Sequence, residues 1–131
     1  MVGCKANKTP MEEKIKLNKA STAAKVDATG YRSIVGGLCY LVHTRPDLAF
    51  AVGYVSRFME DPCDDHLTAV KHLLRYVAGT VDYGVVYPRH NGGKADLIGY
   101  NDSDMASDIN GRKCTSGLIF FFGGCPISWQ S

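Results

Sequence analysis

The last third of the chain, ADLIGYNDSDMASDINGRKCTSGLIFFFGGCPISWQS, constrains the fold most, because three β-prone runs follow one another with turn residues between them. Asp96 to Asn101 reads as a strand leading into Asp102, Asp104 and Asp108, with a polar turn through Asn110 and Gly111. Gly117 to Phe122 is a second run, and Gly123-Gly124 turns the chain into a third, Pro126 to Trp129. Runs joined this way predict an antiparallel meander whose first strand ends in carboxylates.

Upstream the spacing becomes helical. Tyr31 to His43 places Ile34, Val35, Leu38, Leu41 and Val42 on one side of a first helix, with Gly36 and Gly37 leaving room for a neighbouring helix. Thr44-Arg45-Pro46-Asp47 breaks the pattern and restarts it: Pro46 suits a first helical turn and Asp47 the positive end of its dipole. The second helix runs to about Met59, with Leu48, Val52, Val55 and Phe58 inward, and ends at Glu60-Asp61-Pro62. Asp64 is the expected cap of a third, in which Leu67, Val70, Leu74 and Val77 form a stripe and Gly79 supplies the stop. Tyr83 to Tyr87 reads as a short strand, and Pro88 to Gly93 as a turn. The predicted fold class is α+β: a basic extended arm over 1–29, helices over 30–80 and a sheet over 81–131.

An apolar share of 45% and a mean hydropathy of −0.11 belong to a globular chain. The net charge of +2 is too small to argue for nucleic acid by itself. Its distribution is uneven: residues 1–27 carry six Lys against Glu12, Glu13 and Asp27, so a basic, partly disordered arm anchored by Ile15 and Leu17 precedes a near-neutral body. Cys4, Cys39, Cys63, Cys114 and Cys125 have no paired spacing, which fits a reducing compartment. The first twenty residues hold no apolar signal core and no run reaches membrane-spanning length. The expectation is no signal peptide, no membrane insertion and an intracellular location by default.

The string GYNDSDMASDINGRKCTSGLIFFFGGCPISWQS resembles the start of the ribonuclease H domain of copia-type LTR retrotransposon polyproteins. YRSIVGGLCYLVHTRPDLAFAVGYVSRFMEDP resembles the end of the reverse transcriptase that precedes it. Together they cover nearly the whole chain. The resemblance implies a three-helix, thumb-like segment followed by an incomplete ribonuclease H-like meander. In the family the thumb holds a template–primer duplex, so Lys71 and Arg75, four apart on the third helix, match backbone contacts, with Arg112 and Lys113 as further candidates. The bland alternative is a solvated helix face, since strong binding needs roughly six to ten phosphate contacts.

Ribonuclease H cleavage uses two Mg²⁺ ions about 4 Å apart, held by several converging carboxylates. The resemblance assigns the first to Asp102, after Tyr100-Asn101, and places the others beyond Ser131. Asp104 shares a strand face with Asp102, but one segment gives at best a weak, half-open site. The chain departs from the family pattern at Met105, where Trp is usual, and at Cys114, where Ser is usual. No Tyr-x-Asp-Asp polymerase turn occurs. The expectation is a catalytically incompetent fragment with vestigial Asp102 and no cofactor of its own, Mg²⁺ belonging to the intact family domain.

Other constellations are weaker. His66 and His72 lie about 240° apart around a helix and cannot chelate together, while Cys63 with His66 gives two zinc ligands where four are needed. The uncharged run Leu118 to Phe122 wants covering, which predicts self-association or a protein partner. Chains resembling this one also carry the label of secreted RxLR effectors, delivered into plant cells to suppress cell death or immunity by protein interaction. None of the six arginines begins an Arg-x-Leu-Arg.

Overall fold

Asp27 starts the helical unit: its carboxylate accepts the backbone N–H groups of Thr29 and Gly30 at 3.1 and 3.2 Å, filling two donors a helix start leaves open. The computed structural model describes residues 5–12, 15–87, 89, 96–104 and 115–130. Among these, α1 (Ala28–Leu41) is followed by a 3₁₀ turn (Pro46–Leu48), α2 (Ala49–Ser56) and α3 (Asp64–Gly79). Then come β1 (Leu97–Asp104), β2 (Thr115–Phe122) and β3 (Cys125–Gln130). The class is α+β.

The core lies among the helices. Tyr31, Val35 and Leu38 from α1, Leu48, Val52, Val55 and Phe58 around α2, and Ala69, Val70, Leu73 and Tyr76 from α3 are buried together with Leu17. The phenol of Tyr31 donates to the Val55 carbonyl at 2.6 Å, so the one polar atom it carries inward is satisfied. Burial, with a smaller effect of the Asp65 charge, pushes that phenol well above the ordinary range.

Several expectations are corrected. The α3 cap is Cys63, not Asp64: its thiol accepts the His66 N–H while His66 Nδ1 accepts the Cys63 N–H at 3.0 Å, a reciprocal capping box. The buried stripe of α3 runs through His66, Ala69, Val70, Leu73 and Tyr76, with Leu67, Leu74 and Val77 on its flanks. Gly36 and Gly37 face open space, and Ile34 and Leu41 are exposed. Tyr83 to Tyr87 forms no strand.

The arm also differs from a partly disordered tail. Leu17 is buried, with Met11 and Ile15 beside it, and its N–H donates to the Tyr54 hydroxyl at 3.1 Å. Residues 24–26 run antiparallel to 62–64 through Val26 N–H to Pro62 carbonyl at 3.1 Å and Asp64 N–H to Ala24 carbonyl at 2.8 Å. Gly79 lets the arm pass: a Cβ built there would stand 2.5 Å from that of Ala6.

The sheet has the order β1-β2-β3, both pairs antiparallel. Gly123 and Gly124, at φ 58° and 78°, make the tight turn that the β2–β3 hairpin needs. A bulge between Phe120 and Phe121 admits Pro126, which cannot donate to the ladder.

Candidate nucleic-acid interface

Lys71 and Arg75 stand one turn apart on α3, both exposed, and neither makes a hydrogen bond or ion pair among the described residues. Their neighbour His72 is occupied: one ring nitrogen lies 3.0 Å from the Thr9 carbonyl, and its own carbonyl accepts Asn7 Nδ2 at 3.0 Å. The arm thus covers the His72 edge of the helix and leaves the cationic edge open. A hollow of about 140 Å³ between arm and helix has Arg75 at its rim with Glu12 and Asp65, so the positive field is local and small.

Asp102 lies in β1 across from Gly117, and Asp104 across from Thr115. Asp108, Arg112 and Lys113 lie outside the described residues.

Cys63, Asp65 and His66 bring three metal-capable atoms within 4.8 Å of one another. Each is already engaged. His66 Nδ1 accepts the Cys63 N–H, Nε2 donates to the Asn18 carbonyl at 2.9 Å, and Asp65 accepts from the His66 N–H and the Ser21 hydroxyl. The cluster fastens the arm to the start of α3 and leaves no imidazole nitrogen for a metal.

Spacing gave no sign of a polar cluster at the other end of α3. Arg45 is buried, donates Nε and Nη2 to Asp47 at 3.0 and 2.7 Å, and gives Nη1 to the Thr80 carbonyl at 3.0 Å. Tyr76 donates to the same carboxylate at 2.7 Å. The hydrogen bond from Arg45 holds the Asp47 carboxyl below its usual value, with Tyr76 helping against burial, while burial and then Asp47 raise the Tyr76 phenol. A charged residue in a four-residue turn looks like surface; the signal was the Arg-Pro-Asp order itself, which allows a two-point pair around a helix start.

The chain is 44% identical over its whole length to the Retrovirus-related Pol polyprotein from transposon RE2 of Arabidopsis thaliana, and 44% identical to that from transposon TNT 1-94 of Nicotiana tabacum. The chain belongs to the copia-type retrotransposon Pol polyprotein family. This copia-type segment spans 9 to 10% of the length of those polyproteins. It is also 48% identical to the Secreted RxLR effector protein 161 of Plasmopara viticola, over 77% of this chain and 70% of that one. No family model matches, and no solved structure matches. Among the described residues no helix is long and apolar enough to cross a membrane.

Proposed function

We propose that this copia-type Pol segment acts by holding rather than by turnover. The α3 edge bearing Lys71 and Arg75 touches the phosphate backbone of a nucleic-acid duplex, and the ribonuclease H-like sheet carries Asp102 as a vestigial carboxylate without catalysis of its own. The supporting observation is the pair of exposed cations one turn apart, without partners among the described residues, on the edge the arm leaves open. Two contacts make weak binding with a shallow salt dependence, a slope of roughly −2 in log K against log salt. Retention of an RNA–DNA hybrid on filters between low and physiological salt tests it. The double variant Lys71→Ala/Arg75→Ala flattens the slope, whereas wild-type retention with no salt dependence would overturn the reading.

The sheet supplies a second contact surface, for a protein partner or a second copy, through exposed Leu97, Phe120 and Phe122. A second reading follows from the RxLR relative: an effector that acts inside host plant cells by protein interaction, suppressing cell death or immunity. Expression in leaf tissue beside a cell-death elicitor separates the two, since unchanged necrosis disposes of the effector reading.

A further inference from the structure

Every buried apolar side chain among the described residues lies between Leu17 and Tyr76, in the arm, the helices or the turns between them. The sheet contributes none, so its attachment to the helices rests on few contacts. The indole Nε1–H of Trp129, on β3, donates to the Val42 carbonyl at 2.6 Å. Val42 caps the C-terminal end of α1, and the same carbonyl accepts the Arg45 N–H at 3.3 Å. Arg45 is itself fixed to Asp47 and Thr80, so the acceptor that Trp129 uses belongs to a rigid turn.

Around the indole the packing is open. A cleft of about 400 Å³ lies between the helices and β3, with Cys39, His43 and Val52 on one side and Ile127 on the other. The connector supplies further ties among the described residues: the Tyr83 ring sits 5.8 Å from the Arg45 guanidinium, the Tyr87 hydroxyl donates to the Pro126 carbonyl at 2.5 Å, and the Cys125 thiol donates to the Val86 carbonyl at 3.7 Å. These link the connector to the turn at one end and to β3 at the other. They do not fill the cleft.

We propose that Trp129 is a latch and the Val42–Asp47 turn its seat, so that the sheet releases and swings as a unit while the helices stay folded. Among the described residues, opening breaks the indole hydrogen bond, the Tyr83–Arg45 ring contact and the light packing of β3 on α2, whereas the ladders within the sheet and the helical core are untouched. Removing the indole N–H raises the open population by about fivefold, equivalent to ~1 kcal/mol.

Trp129 is the single tryptophan, so its emission reports the latch directly. In a urea titration of the whole chain, the emission transition is expected at lower urea than the loss of far-UV helical ellipticity; coincident transitions would overturn the proposal. Trp129→Phe keeps a ring and loses the donor. Its small-angle scattering is expected to show a broadened distance distribution while amides of β1 and β2 keep their hydrogen-exchange protection. A scattering curve identical to wild type contradicts the latch, and loss of β-amide protection contradicts the unit-wise swing.

Discussion

The imidazole of His66 lies flat on the ring of Phe58, centroids 4.0 Å apart and planes 12° from parallel. That contact joins the end of the second helical segment to the first turn of α3, while the two ring nitrogens hold Cys63 and Asn18. His66→Ala removes the stack and leaves the buried Cys63 N–H without its partner, which should cost about 3 kcal/mol in urea unfolding. His66→Asn, able to keep the capping acceptor, should recover part of it. With both nitrogens engaged, added Zn²⁺ or a chelator should leave the melting temperature unchanged; a zinc-dependent rise would show that the cluster opens to metal.

The Arg45–Asp47 pair makes stability depend on acid. The folded carboxyl sits below its unfolded value of about 3.9, so the unfolded chain binds more protons and the contribution is fully present above that pH. It is lost as pH falls through the folded value. The wild-type advantage over Asp47→Asn should therefore hold at pH about 6 and shrink below pH about 4. A difference that stays constant on acidification contradicts this sign.

Inward positions Leu48, Val52, Val55 and Phe58 were legible from their helical spacing, and all four are buried. The α3 stripe was displaced because the helix is covered from two directions, by the other helices and by the arm, and Ala69 and His66 carry little apolar signal. The arm's placement was hidden for a related reason: its bonds run to backbone carbonyls and hydroxyls far away in sequence, such as Tyr54 and Pro62, and composition records none of these. Of the candidate site, the shared helix face of Lys71 and Arg75 follows from helical periodicity, while their choice as contacts is what the family resemblance implies. Their availability does not, since it depends on where the arm lies.

Gly79→Ala tests that arm. The new methyl meets Ala6 at a distance no pair of Cβ atoms tolerates, so the arm must lift from the end of α3. Helix propensity alone favours alanine by up to about 1 kcal/mol, so helical ellipticity should hold. Trypsin should cut faster at Lys8 and Lys16. Unchanged cleavage would mean the arm does not depend on this passage.

The exposed sheet face predicts association. Phe120 and Phe122 remain 38% and 49% accessible and share one sheet face with Leu97, which stands across from Phe122. Light scattering should show dimers or larger species at micromolar concentration, and Phe120→Ser/Phe122→Ser should reduce them. A monodisperse wild-type monomer that binds no hydrophobic dye counts against it.

Incubation of a labelled RNA–DNA hybrid with Mg²⁺ tests most directly the proposal that the purified chain holds nucleic acid through α3 without cutting it. Salt-sensitive retention that falls in Lys71→Ala/Arg75→Ala is expected, with an intact RNA strand in every sample. Mg²⁺-dependent cleavage abolished by Asp102→Asn would contradict it.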